Sequence, residues 1–391
     1  MRKVFMFAAL VAASTAFVGC SSDEDLSQVP EIIVEDTPEE VSTGVPFGIS
    51  ASFDGDQTRG VDLTASDFNT FYLYGVKTDG TKWFDGAQFD KTAKTFDDNT
   101  TYRWSDGSTT TWREGSYNFY GVTSTSGIAS PVFNQTTATF DYVVDPDNAA
   151  TQEDLMVAKN LDQNSTSNDG KLGLDFYHAL AGIDVSLRFN SANFTTLPTY
   201  RCKIKSITFH NIKKQGTFDF SENGTTGSGA WINQEEYADY TLTVDENSWG
   251  SNGIDEDGYF GFTDGDAYVP LTFTEGPLFV IPQEITSWGA DKDHEVPLST
   301  AITNNQSYIS IECQWYEAQT GGYAYYWVCS NPAGYNLQSQ RADAGYGTLY
   351  FPLKLSGGEL KFNKTHHLKI TLEGGLDEDG VLVNDDANFT I

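Results

Sequence analysis

The stretch Phe47-Gly-Ile-Ser-Ala-Ser-Phe53, continued by Asp54-Gly-Asp-Gln-Thr-Arg59-Gly60, reads as one amphipathic strand and the polar turn that ends it. Phe47, Ile49, Ala51 and Phe53 fall on one side of a pleated chain, with Gly48, Ser50 and Ser52 opposite. Successive strand side chains point to opposite faces, so a period of two with one apolar face marks a half-buried strand. The same period returns in Ile183, Val185, Leu187 and Phe189, in Leu349, Phe351, Leu353 and Leu355, and in Leu368, Ile370 and Leu372. Turn-forming pairs such as Asp79-Gly80, Asp106-Gly107, Asn223-Gly224 and Gly357-Gly358 separate the apolar runs. With 26 Phe, 20 Tyr, 8 Trp and 36 Gly, and no long helical periodicity, the chain is predicted to be all-β. Its short antiparallel strands are expected to form β-sandwiches.

The 391 residues are more than one hydrophobic core usually serves, so two domains are expected. The polar run between Gln163 and Lys171 is the soft place in the sequence. It divides an N-terminal β-sandwich domain, 45–168, from a C-terminal one, 169–391. A Gly/Asp/Asn-rich excursion from Ser221 to Asp266 interrupts the second domain, and no internal repeat is found.

Ahead of these lies a leader. Arg2 and Lys3 precede an apolar run from Val4 to Val18, too short to span a bilayer comfortably, and then Gly19-Cys20. The tetrad Phe17-Val18-Gly19-Cys20 resembles a bacterial lipobox, with Phe17 in place of the usual Leu. Residues 1–19 therefore read as a lipoprotein signal peptide, and Cys20 as the lipidated residue. Residues 20–44, with Asp23-Glu24-Asp25, Glu31, Glu35, Asp36, Glu39 and Glu40, read as an acidic flexible tether. Loss of Arg2 and Lys3 leaves 21 basic against 55 acidic residues. That sign repels nucleic acid and anionic membrane surfaces, so no nucleic-acid partner is expected.

Chemistry-bearing patterns are sparse. His178, His210, His294, His366 and His367 stand in no metal-binding frame, and there is no Cys-x-x-Cys. The adjacent His366 and His367 are expected on opposite faces of a strand. Asp255-Glu-Asp-Gly258 and Asp377-Glu-Asp-Gly380 lack the ligand spacing of an EF-hand and read as solvated turns. Acidic residues are too abundant for one carboxylate pair to stand out, so no cofactor, metal or catalytic group is assigned. Of Cys202, Cys313 and Cys329, the last two lie symmetrically about Gly321 in a hairpin running from Tyr308 to Cys329. Directly opposed strand residues can come close enough for a disulfide. A Cys313–Cys329 bridge and a pair of buried thiols both fit that register. Basic residues are scarce, so Arg59 in its polar turn is either an accessible site for a trypsin-like protease or a surface arginine.

Four places resemble the fimbrillin family, pilus subunits of Bacteroidales-type bacteria. They are the strand ending at Thr58-Arg59; Asp154-Leu-Met-Val-Ala158 with Leu174-Asp-Phe-Tyr-His178-Ala-Leu-Ala-Gly-Ile183; Ile207 to Asp219; and Gly276 to Gln283 together with Asn363 to Leu372. The resemblance implies two transthyretin-like β-sandwich domains in tandem and a polymerising subunit, not an enzyme. It further implies an outer-membrane lipoprotein precursor cut between Arg59 and Gly60 by a trypsin-like protease, then built into a cell-surface fimbrium. The first strand would leave, and the pockets of Phe47, Ile49, Ala51 and Phe53 would accept a strand of another subunit. The implied partners are other pilin subunits, the protease, the lipoprotein export machinery and a host or bacterial surface ligand. The tail departs from the family's longer C-terminal strands: only Val381, Val383, Phe389 and Ile391 could fill pockets. The competing expectation is a lipid-anchored surface glycan-binding protein, from the same leader and the many aromatics.

Overall fold

The structure is a computed structural model. It describes residues 42–53, 68–96, 99–107, 110–147, 152–190, 200–222, 229–249, 258–261, 268–289, 298–318, 324–327, 346–355, 357–373 and three short pieces beyond, 375–376, 382–383 and 389–390. The chain is all-β, as the alternating pattern predicts; one helix of six residues, Leu298–Thr303, is present among the described residues. No helix among them is long and apolar enough to cross a membrane.

The strands of the first half are β1 (Ser42–Pro46), β2 (Gly48–Phe53), β3 (Thr70–Lys77), β4 (Lys82–Phe96), β5 (Asn99–Ser105), β6 (Thr111–Arg113), β7 (Tyr117–Val122), β8 (Ile128–Phe133), β9 (Ala138–Val143), β10 (Met156–Gln163) and β11 (Lys171–His178). Seven of them form one sheet in the order β2-β11-β10-β7-β3-β4-β5. Its central strands bury both faces, which explains their near-continuous apolar runs. Phe71, Leu73, Phe119, Met156, Ala158, Leu172, Leu174 and Phe176 pack into an aromatic core on one side. Tyr74, Val76, Tyr120, Val122 and Val157 face a second core on the other. The small sheet of β1 and β6 closes one end of the aromatic core, where the buried Trp112 donates from Nε1 to the Gly170 carbonyl at 2.7 Å.

The second half contributes β12 (Ala181–Asn190), β13 (Tyr200–Asp219), β14 (Ala230–Thr243), β15 (Tyr259–Gly261), β16 (Val269–Pro270), β17 (Leu278–Val280), β18 (Gln283–Glu284), β19 (Tyr308–Ala318), β20 (Ala324–Trp327), β21 (Gly347–Pro352), β22 (Glu359–Leu360) and β23 (Thr365–Glu373). One sheet is centred on β12 and β23, the other on β13 and β19. Ile183, Val185, Leu187, Leu368 and Ile370 from the first meet Ile207, Phe209, Ile309, Ile311 and Phe351 from the second, giving a β-sandwich core. In β13 the buried set shifts from Ile204 to Ile207 and Phe209, then to Ile212 and Phe218. Register shifts between Ile204 and Ser206 and between Phe209 and Ile212 cause this, the second at Asn211 with φ 58°. Each bulge moves the next residues to the opposite face.

Four expectations change. The boundary at 168/169 falls inside a hairpin: β10 and β11 pair in one sheet, Met156 opposite His178. The polar run between them is a turn, with Asn168 and Asp169 at φ 44° and 55°, backbone angles that Asn and Asp tolerate. A Ser/Asn/Asp/Gly run marks a hairpin turn and a linker equally well, and here the chain changes sheets later, between His178 and Ala181. The halves also interlock, because β9 pairs with β13, Gly216 opposite Tyr142. Second, the expected tether ends early, since Ser42–Pro46 is a strand paired with β6. Third, the excursion from Ser221 to Asp266 contains β14, the long partner of β13, and β15. Fourth, not every strand pair is antiparallel: β2 with β11 and β12 with β23 are parallel. Alternation reports which face is buried and is blind to strand direction.

Candidate functional site

β2 ends the seven-stranded sheet. It runs parallel to β11 in the register Gly48–Lys171, Ile49–Leu172, Ala51–Leu174 and Phe53–Phe176. Phe47, Ile49 and Ala51 lie half-buried against the aromatic core, while Ser50 and Ser52 are exposed. The alternation read from the sequence is thus the one that forms. Phe47 is the anchor: its ring lies 4.8 Å from Trp83, 5.0 Å from Trp112, 5.4 Å from Phe84 and 5.9 Å from Phe119, centroid to centroid. Such edge and tilted ring pairs each add about 0.5–1.5 kcal/mol to the area buried. Its backbone amide donates to the Thr110 carbonyl at 2.9 Å. Opposite Phe53 in the ladder, Phe176 fills space that Gly121 of β7 leaves open; a Cβ there would come within 2.8 Å of the Phe176 ring. On the outside, Ser52 Oγ donates to Asp175 Oδ1 across the pair.

The strand therefore flanks the aromatic core at the sheet's edge, beside Leu172, Leu174 and Phe176 of β11 and with the ring cluster around Phe47 at its start. The described residues resume at Phe68, just before β3. Arg59, Gly60 and Cys20 lie outside the described residues, as does the side chain of Phe53.

The predicted Tyr308 hairpin forms with the expected register, Trp315 opposite Trp327 and Ala318 opposite Ala324. Cys313 is a buried free thiol with Ile204 on one side and Gly347 of β21 on the other. Cys329 lies outside the described residues. Residues 255–257 and 377–380, read as solvated turns, do so as well. In the tail, Val383 pairs with Gly375 and Phe389 with Ile370 of β23, while Val381 and Ile391 are outside the described residues.

His366 and His367 point to opposite faces, as their adjacency requires. His366 is buried and accepts from the Lys361 amide at 2.8 Å; the exposed His367 meets Asp184 at 2.7 Å. Two further arrangements escape sequence reading because their members are distant in the chain. His178 and Asp154, both buried, meet at 2.7 Å where the chain leaves the first sheet. On the outer face of the sandwich, His210 lies between Asp239 at 2.8 Å and Ser310 at 2.7 Å, with its ring stacked on Tyr308. Burial pushes the Asp239 carboxyl up, but the hydrogen bond and charge of His210 outweigh it, and its pKa is lowered. The trio matches the contacts of a serine hydrolase, yet Ser310 sits mid-strand and nearly buried, paired with Thr208 and Tyr350. Its surrounding backbone is committed to ladder bonds, leaving nowhere to stabilise an oxyanion. Among the described residues no group of three or more His, Cys, Asp or Glu side chains could hold a metal ion.

A model of fimbrillin-like proteins matches residues 58–385. No curated protein matches the chain. Solved structures similar to it include a fimbrial protein from Bacteroides vulgatus, 12% identical with a TM-score of 0.48, covering 88% of this chain and 98% of that one. A putative cell adhesion protein from Bacteroides uniformis is 14% identical with a TM-score of 0.41, covering 88% and 98%. The fimbrial anchor protein Mfa2 from Porphyromonas gingivalis is 8% identical with a TM-score of 0.32, covering 87% and 100%.

Proposed function

The chain belongs to the fimbrillin-like family, and from that premise we propose that it is a structural subunit or tip adhesin of a surface fimbrium. It is exported as a lipoprotein through Cys20, held at the outer membrane, cut between Arg59 and Gly60 by a trypsin-like protease, and joined to other subunits by strand exchange. Its role is mechanical and adhesive, without catalysis or cofactor.

One observation carries this reading: β2 is an edge strand whose apolar side chains are only half-buried against the aromatic core that the other strands build. An edge strand leaves one row of backbone groups unpaired and holds on through a single ladder. Cutting the turn after it turns an intramolecular strand into a dissociable peptide. The vacated groove would expose Leu172, Leu174 and the Phe47 pocket, a surface that a strand of another subunit can fill by backbone pairing and side-chain insertion.

The test is maturation. Limited trypsin treatment of the purified precursor should yield a new N-terminus at Gly60 and leave the body intact. The Arg59→Ala variant should keep its lipid-bearing N-terminus and fail to enter fibres. Polymerisation of Arg59→Ala at the wild-type rate would sink the proposal.

A further inference from the structure

We propose that the C-terminal sandwich carries a binding groove for a neutral oligosaccharide, at a place remote from the exchanging strand. A groove of about 540 Å³ runs between the start of β14 and the small sheet of β18 and β22. That volume lies within the range of about 300–1,000 Å³ usual for small-ligand sites. Half-buried Trp231 and Phe362 line it among apolar neighbours, while Asn233, Glu284, Glu359 and Lys361 supply polar groups. Aromatic rings beside planar amides, carboxylates and an amine suit a ligand with apolar C–H faces and a rim of hydroxyls.

The groove is fixed rather than improvised. Trp231 is held by a 2.7 Å hydrogen bond from Nε1 to the Ala179 carbonyl and by its edge-on packing against Phe218. Gly229 at the rim has φ 140°, and a Cβ there would lie 2.6 Å from the Phe218 ring, so only glycine leaves this wall in place. Gln283 accepts from the Lys213 amide at 2.8 Å and donates to the Lys213 and Ile281 carbonyls. Gln234 donates to the Pro282 carbonyl at 2.6 Å, tying β14 to the opposite wall.

Three other occupants fit less well. A peptide strand would need a regular edge, but Asn233 at φ 50° and the register shift beside it break the ladder of β14, which blocks strand addition. An anion would meet Glu284 and Glu359, placed directly opposite each other, and a strongly negative chain. A metal cation would compete with the Lys361 ammonium, 3.5 Å from Glu359. Charge and hydroxyl chemistry together leave the neutral sugar.

The groove is independent of maturation, so its test uses the full-length chain. Saturation-transfer NMR with cellotriose, maltotriose, chitotriose and N-acetyllactosamine should show transfer to at least one sugar. Glu284→Ala and Asn233→Gly should each weaken that binding roughly 10-fold, the loss expected for one good hydrogen bond to the ligand. Tyr237→Ala, an exposed aromatic further along β14, should leave it unchanged. No transfer to any of the four at about 10 mM, weaker than useful affinities, would overturn the site. So would binding that survives both groove substitutions, or a preference for sialyllactose over the neutral sugars. The groove variants should still be cut at Arg59 and assemble, so failure here and failure of strand exchange are separate results.

Discussion

β2 and β23 pair in the same unusual way and are held very differently. Each runs parallel to a strand far away in sequence, β2 to β11 and β23 to β12, and each ladder starts with a glycine, at Gly48 and Gly182. β23 is an interior strand, flanked by β12 and by the returning Phe389–Thr390, with Leu368 and Ile370 fully buried. β2 is an edge, with Phe47, Ile49 and Ala51 half-buried. One pairing geometry thus yields an interior, fully buried seam in one place and a half-buried edge in the other. The difference lies in flanking strands and depth of burial, not in the ladder itself.

The comparison can be attacked where the effect should be largest. Ile370→Ala removes side-chain volume from the sandwich core and should cost about 2–5 kcal/mol, lowering the unfolding midpoint of the whole body in denaturant titration. A cost below about 1 kcal/mol would mean that β23 is no better held than β2. Phe47→Ala should cost less than the full-burial value of about 3–5 kcal/mol, because the ring is half-covered. Its distinctive effect should be local: faster hydrogen exchange in β2 and faster trypsin cutting at Arg59, with β12 and β23 amides unchanged. Uniform acceleration across both strands would contradict a separable edge strand.

The two glycines sharpen the contrast further. A Cβ on Gly182 would come 2.9 Å from Thr365 Oγ1, whereas one on Gly48 meets nothing closer than Lys171 Cγ at 3.7 Å. Gly182→Ala should therefore cost about 1–3 kcal/mol by overpacking, and Gly48→Ala should be near neutral in the same thermal melt. The smallest effects belong to the exposed links across each pair, Ser52 to Asp175 and His367 to Asp184. Ser52→Ala and His367→Ala should each change stability by less than about 1 kcal/mol, as surface polar pairs do. A larger loss at Ser52 would show that this link, rather than burial, retains the edge strand.

Sequence alone reached the strand character of Ile49 to Phe53, Ile183 to Phe189 and Leu368 to Leu372, because the pleat writes burial into every second residue; of the run Leu349 to Leu355, the strand keeps Leu349 and Phe351 and ends at Pro352. It also set the Tyr308 hairpin register and the opposed faces of His366 and His367, both of which follow from local geometry. The readings of the leader, of Cys20 and of Arg59 also rest on neighbouring residues, and they fall outside the described residues. Tertiary structure alone decided that β2 and β23 are parallel, since alternation is identical in either direction. It decided that Asn164 to Gly170 turns a hairpin instead of joining two domains, and that bulges in β13 switch its buried face. It also brought together Trp231, Glu284 and Phe362, and His210, Asp239 and Ser310, which lie tens of residues apart. Which strand becomes an edge depends on what the remainder of the chain leaves uncovered, and no local pattern in Phe47 to Phe53 contains that information.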